Sequence, residues 1–211
     1  AMSIETIETS EELKTHILAL IEIEPRFASI YKQVGIPSLR RNEGGFEPLI
    51  RAMVGQQLSV AAAASIWQKL TDSGLTSALA ISKADDENLK TQGLSRQKIR
   101  YVRSLVEHDV DYSALTTMSD VEVIDTLTAV VGIGRWTAEM YLLFSLGRAD
   151  VLAVDDLAIR VGAMPVLELE ERPTPKQLKL ATQPWSPYRS AASLLLWAHY
   201  GWMRSKQAMP V

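Results

Sequence analysis

Val131-Gly132-Ile133-Gly134-Arg135-Trp136-Thr137-Ala138 separates two apolar runs of helical spacing, and Val154-Asp155-Asp156-Leu157 follows, with Asp156 twenty residues after Trp136. A glycine–apolar–glycine turn between helices can aim successive backbone N–H groups outward at the start of the second helix. That terminus also carries the positive end of the helix dipole, so an anion binds there without a lysine or arginine side chain. Glycine suits the turn because a Cβ would obstruct both the approach of a phosphate and the required backbone angles. Taken alone, Gly-Ile-Gly reads first as an ordinary helix–helix turn. Its flanks shift the balance: Leu127, Val130, Ala138, Tyr141 and Leu142 put apolar and small residues where a helix-hairpin-helix needs them.

Outward from the hairpin the periodicity is helical nearly everywhere. Thr9-Ser10-Glu11-Glu12 has the form of a capping box ahead of Leu13, Ile17, Leu18, Leu20 and Ile21. Residues 36–45, with Pro37, Gly44 and Gly45, read as a loop. Further helices are expected over Phe46–Val54, Ser59–Leu70, Ser82–Lys90, Ser95–Glu107 and Val121–Ala129. Ala61-Ala62-Ala63-Ala64 allows close helix approach, and Ser119-Asp120-Val121-Glu122 is a second capping box. The helix after the hairpin should run from Trp136 to Leu146 and stop at Gly147. Others begin at Asp156, at Thr174-Pro175 and at Ser186-Pro187, with proline at the first helical position. About ten helices result, and the single β-like run, 150–154, is too short to build a sheet. The expected fold is all-α: two helical lobes flanking a cleft, with a helix-hairpin-helix motif. One lobe spans 36–147 and ends in the motif at about 121–146; the other combines 1–35 with 148–211.

The bulk composition narrows the chemistry. The chain has 211 residues, 47% hydrophobic and 22% charged, and no apolar run near the roughly 20 residues that span a bilayer. No membrane association and no signal peptide are expected, and Ala1 before Met2 reads as a cloning remnant. With no cysteine there can be no disulfide, thiol nucleophile, iron–sulfur cluster or cysteine-based zinc site. His16, His108 and His199 lack metal-site spacing. A net charge of −3 argues against nucleic acid, but it hides an asymmetry. Six glutamates fall within the first 24 residues, whereas 95–104 carries Arg96, Lys98, Arg100 and Arg103 without an acid. A basic patch of that kind is what a DNA backbone would meet.

Five segments in order resemble the helix-hairpin-helix DNA glycosylase superfamily, and within it the AlkA-like 3-methyladenine DNA glycosylase II group. They are Arg51-Ala52-Met53-Val54-Gly55-Gln56-Gln57-Leu58-Ser59, the stretch from Gly93 to Leu105, the hairpin Val131–Ala138, Ala153-Val154-Asp155-Asp156-Leu157, and Trp185-Ser186-Pro187-Tyr188-Arg189-Ser190 through Trp197. The resemblance covers nearly everything from Phe46 onward and lacks the N-terminal β-domain of longer members, so it points to the short, all-helical branch.

The resemblance implies a monofunctional glycosylase of base excision repair. It would flip alkylated purines, chiefly 3-methyladenine and 7-methylguanine, out of duplex DNA and leave an abasic site. Asp156 would be the catalytic carboxylate, stabilising the oxocarbenium-like sugar and guiding water, with Asp155 as the alternative. Asp156 would equally cap the helix that follows, and the two roles are compatible. The bifunctional branch carries a Schiff-base lysine at the position of Trp136, and this chain has no lysine between Lys98 and Lys176. Trp136 and Trp197 would form the base pocket with Met140, which stands where a longer relative has tyrosine; Tyr141, Tyr200 and Trp202 are either substitutes or core. Gln57, with Leu58 and Gln56 beside it, would fill the gap left by the flipped base, although that loop reads equally well as a polar helix interruption. Gly132, Gly134, Trp136 and Thr137 would hold phosphate. The carbonyls of Thr128, Val130 and Ile133 match positions that hold Na+ or K+ in some members, and no other cofactor is required. The expected partner is duplex DNA containing alkylated bases, met by a monomer in the bacterial cytoplasm at the nucleoid or in a eukaryotic nucleus. The rival reading is a non-catalytic helix-hairpin-helix module that binds duplex DNA.

Overall fold

The computed structural model describes residues 4–207, so Ala1, read above as a cloning remnant, lies outside it. Among the described residues there are thirteen α-helices and no strand, only an isolated bridge between Thr6 and Arg148. None of these helices is long and apolar enough to cross a membrane. The chain divides into two compact units, one formed by Asn42–Tyr141 and the other by the residues before and after it.

The internal unit holds α3 (Phe46–Gly55), α4 (Val60–Asp72), α5 (Ala78–Lys83), α6 (Asp86–Thr91), α7 (Arg96–His108), α8 (Tyr112–Leu115), α9 (Asp120–Thr128) and α10 (Arg135–Met140). Ile50, Met53, Leu70, Ile81, Leu89, Val102, Leu105, Val123 and Leu127 lie within its core. The terminal unit holds α1 (Ser10–Ile23), α2 (Phe27–Val34), α11 (Leu157–Val166), α12 (Pro175–Thr182) and α13 (Arg189–Gln207). Leu13, Ile17, Leu20, Phe27, Ile159, Ala163, Trp185 and Leu195 form its core. Phe27 meets Trp185 edge-to-face at 4.8 Å. α11 crosses α13 closely, because a Cβ on Gly162 would lie 2.8 Å from the Leu196 carbonyl oxygen.

Several local expectations need correction. The single helix over Ser82–Lys90 is two, α5 and α6, because the Asp85 carboxylate accepts the Asn88 amide and starts a new cap. The last helix begins at Arg189 rather than at Pro187, after a cis Ser186–Pro187 peptide, so Pro187 does not hold the first helical position. The helix after the hairpin is α-helical only to Met140; Tyr141–Ser145 widens into a π turn before Gly147 reverses the chain at φ 66°. Thr9 accepts the Glu12 amide, but Glu12 returns its bond to Glu8 and not to Thr9, so the first box is only half formed. The box of Ser119 and Glu122 is complete. Of the alanine run, Ala63 packs on Gly55 whereas Ala61 and Ala64 face solvent.

The boundaries of the units fall six residues inside those expected. Arg41 explains the shift: its guanidinium donates to the Ile7 carbonyl (3.1 Å), the Phe144 carbonyl (3.2 Å) and the Ser145 carbonyl (3.1 Å). These three bonds gather 36–41 and 142–147 into the terminal unit. A guanidinium can satisfy several carbonyls at once because its donors are fixed in a planar fork.

Candidate active site and nucleic-acid interface

Six helices of the internal unit are capped by their own Ser or Asp side chains: Ser59, Ser77, Asp85, Ser95, Asp111 and Ser119. α10 is different. Like Gly45 at α3, Gly134 occupies its N-cap, where no side chain accepts from the first turn. The two hairpin glycines have different physical reasons. Gly132 has φ 101°, and a Cβ there would lie 2.5 Å from Cγ of Tyr101 on α7. Gly134 has φ −89° and ψ 174°, and a Cβ there would meet nothing within 4 Å. Folding demands the first glycine, while nothing in the protein demands the second. Thr137 and Ala138 turn inward, whereas Trp136 is 44% exposed at the first turn, and Met140 is half-buried one turn on. The Val130 carbonyl accepts the Ile133 amide at 3.1 Å, closing the tight turn.

The loop between α3 and α4 reaches the hairpin. Gln56 Nε2 donates to the Gly132 carbonyl at 2.9 Å, so this side chain is committed inside the unit. Gln57 is exposed and holds a left-handed φ of 58°; Leu58 and, to 89%, Val60 are also exposed beside it. Of the three loop residues proposed to reach DNA, Gln57 and Leu58 face outward.

The basic helix is less available than its charge suggested. Lys98 Nζ donates to the Val54 carbonyl at 2.7 Å, and burial pushes its ammonium below the usual lysine range. Arg103 donates to the carbonyls of Ile81 and Ala84, closing the end of α5, and pairs with Asp86 at 2.9 Å. Both are held by the protein's own carbonyls. Arg96 and Arg100 remain exposed for a phosphate backbone.

The carboxylate lies in the terminal unit. Asp156 is the N-cap of α11, and its Oδ1 accepts the Ile159 amide at 3.0 Å and the Trp197 indole N–H at 3.1 Å. The second donor comes from α13, forty-one residues away in the chain. Asp156 is half-buried, whereas Asp155 is exposed, and that separates the two candidates by environment. Trp197 is half-buried and lies at 5.7 Å and 32° to Phe144. Over both rings sits the Arg40 guanidinium, 5.1 Å from the Phe144 centroid and 5.8 Å from that of Trp197. Sequence reasoning missed Arg40, Phe144 and Tyr101. An Arg-Arg pair inside a glycine-containing loop was the only local signal for the first. Tyr141 is buried, its hydroxyl accepting the Gly45 amide at 2.8 Å, which makes it core; Trp202 stacks on His199.

Comparison with known proteins matches residues 50–187 to the family described as HhH-GPD superfamily base excision DNA repair protein. DNA-3-methyladenine glycosylase 1 of Schizosaccharomyces pombe is 33% identical over 208 residues, covering 90% of this chain and 91% of that one. The crystal structure of a DNA-3-methyladenine glycosidase from Bacillus halodurans superposes with a TM-score of 0.83 at 30% identity, over 97% of this chain and 95% of its own. The 3-methyladenine DNA glycosylase of Schizosaccharomyces pombe in complex with abasic DNA gives 0.72 at 32% identity, over 87% and 95%.

Proposed function

The chain belongs to the HhH-GPD superfamily of base excision DNA repair proteins, and we propose that it is a monofunctional DNA glycosylase acting on alkylated purines in duplex DNA, 3-methyladenine and 7-methylguanine first among them. The observation that carries this reading is the double hold on Asp156 Oδ1 by the Ile159 amide and the Trp197 indole. A cap needs only the first of these donors. The second fixes the carboxylate plane from a separate helix, as preorganised charge stabilisation requires.

The chemistry follows from the leaving group. A purine alkylated at N3 or N7 is cationic and departs as a neutral base, so no strong general acid is needed. The sugar becomes oxocarbenium-like, and the Asp156 carboxylate stabilises that charge and directs water to C1′. Water supplies the hydroxyl, its proton is lost to solvent, and an abasic sugar remains. Trp136, where the lysine-dependent branch keeps its nucleophile, can make no Schiff base. Its half-open indole suits the face of a flat, cationic base, with Met140 half-buried one helical turn further on, and Trp197 is the second aromatic candidate. Gln57, backed by Leu58, would occupy the vacated stack. Gly132, Gly134, Trp136 and Thr137 would present the α10 terminus to a phosphate. The carbonyls of Thr128, Val130 and Ile133 offer only hard oxygen donors, which fit a monovalent cation that would add positive charge beside that phosphate.

Asp156→Asn tests the assignment, because asparagine keeps the cap while removing the charge. On methylated duplex, single-turnover base release should fall about 10²- to 10³-fold with DNA affinity retained. Release at the wild-type rate would remove Asp156 from the mechanism. A wild-type protein that binds duplex DNA yet releases no base would be a binding module, and a borohydride-trapped adduct would contradict hydrolysis by water.

A further inference from the structure

Arg40 stands out in the terminal unit. It is exposed and non-glycine, yet its φ is 49°, a conformation that L side chains rarely adopt and that persists only where the surroundings enforce it. The enforcing contact is next door. Arg41 is bonded to the main chain of Phe144 and Ser145, so the loop is anchored to the segment that carries the Phe144 ring. Held in this way, Arg40 places its guanidinium over Phe144 and Trp197. The Trp197 indole N–H donates to Asp156 Oδ1. A cation on the face of an indole has two effects on that bond. It holds the ring in one orientation, and it draws electron density from the ring, so the N–H becomes a stronger donor.

We propose that Arg40 is a positioning residue for the reaction: through the Trp197–Phe144 ring pair it fixes the indole that orients the Asp156 carboxylate. The inference rests on the assignment of Asp156 made above. It gives the Arg40-Arg41 doublet a division of labour. Arg41 secures the loop to the main chain, and Arg40 carries that rigidity onto the ring that holds the carboxylate. The charge matters as well as the contact, so lysine should substitute better than an uncharged side chain of similar reach.

The test compares Arg40→Gln, Arg40→Lys, Trp197→Phe and the Arg40→Gln/Trp197→Phe double variant. Single-turnover release of 7-methylguanine from a methylated duplex gives the rate, and its dependence on protein concentration gives the affinity. Arg40→Gln should lower the maximal rate roughly two- to five-fold, as expected for an exposed cation–π contact, with little change in the half-saturating concentration. Arg40→Lys should recover most of the loss. Phenylalanine at 197 lacks the N–H, so adding Arg40→Gln to it should cost nothing further. A loss confined to affinity, no rescue by lysine, or effects that multiply in the double variant would each overturn the proposal. A readout independent of catalysis is hydrogen exchange of the Trp197 indole proton in the free protein. It should be two- to five-fold faster in Arg40→Gln than in wild type and near normal in Arg40→Lys. An unchanged exchange rate refutes the Arg40 link even if base release is never observed, whereas fast exchange with intact Asp156→Asn activity would spare the link and sink the catalytic assignment.

Discussion

Replacing each hairpin glycine by alanine should separate folding from binding. At Gly132 the new Cβ would meet Cγ, Cβ and Cδ1 of Tyr101 at 2.5, 2.7 and 2.9 Å. These atoms lie at the root of the side chain, and its hydroxyl accepts from Gln97 Nε2 at 2.8 Å, so the ring cannot simply swing aside. Relief requires α7 or the hairpin to shift, an overpacking cost of about 1–3 kcal/mol. The φ of 101° adds about 1–2 kcal/mol for an L residue. Gly132→Ala should therefore lose about 2–5 kcal/mol, lowering Tm by about 2–4 °C for each kcal/mol. Gly134→Ala meets an open site in ordinary extended backbone, and its stability should change by no more than about 1 kcal/mol, in the stabilising direction. Its Cβ stands where a phosphate would approach the α10 amides. Fluorescence anisotropy with an abasic duplex should show weaker binding by about 1–2 kcal/mol, the loss of one charge-assisted contact. The two variants would be compared by thermal denaturation and by anisotropy at one fixed salt concentration. If Gly134→Ala binds DNA like wild type, the hairpin does not hold phosphate at that terminus. If Gly132→Ala melts like wild type, the packing account of the first glycine is wrong.

Other residues separate in the same way. Gln57→Ala should slow base release while leaving Tm unchanged, whereas Gln56→Ala should lower stability by about 1 kcal/mol because the Gly132 carbonyl loses its donor; release at the wild-type rate in Gln57→Ala would rule out that wedge. Arg103→Met should lose about 2 kcal/mol through the carbonyls of Ile81 and Ala84. The salt dependence of its DNA binding should match wild type, and a slope lower by about one would mean that Arg103 contacts phosphate after all. Burial pushes the Asp150 carboxyl up, but the Arg189 guanidinium at 2.8 and 2.9 Å and the Ser186 hydroxyl hold it net below the usual carboxylate value. A lowered folded-state value stabilises the protein above the unfolded value of about 3.9 and loses that contribution as pH falls through the folded one. Asp150→Asn should thus be less stable than wild type in denaturant titrations at pH 7, with the gap closing below about pH 4; a gap constant down to pH 3 would contradict the ion-pair account.

The helices were legible because their signals are local. Ser95, Ser119, Thr174 and Asp156 each announce a cap, and each caps the helix that follows. The failures were local rules overruled by neighbours. Asp85 reads as one more polar residue inside a helical run, but it is a cap, and it breaks that run. Pro187 has the right residue type for a helix start, yet the helix begins two residues later. The basic stretch of α7 shows a third limit. Charge is visible in sequence, whereas the partner that absorbs it is not, and Lys98 is absorbed by a carbonyl forty-four residues away.

By itself the sequence determined the all-helical class, the hairpin and the two-aspartate stretch, and the resemblance those segments carry marked Trp136 as a position without the Schiff-base lysine. All of these depend on residue type and on spacing along one chain. The family resemblance put Asp156 ahead of Asp155, but only the tertiary structure gave a physical difference between them, because partial burial and the Trp197 donor come from a distant helix. The same is true of the two glycines, since the ring that makes Gly132 obligatory belongs to Tyr101, thirty-one residues upstream. Arg40 was likewise invisible, because a cation stacked on two rings leaves no pattern along the chain. Contacts between residues far apart in sequence follow from how helices pack, and packing depends on the shapes of all the side chains at once rather than on any local period.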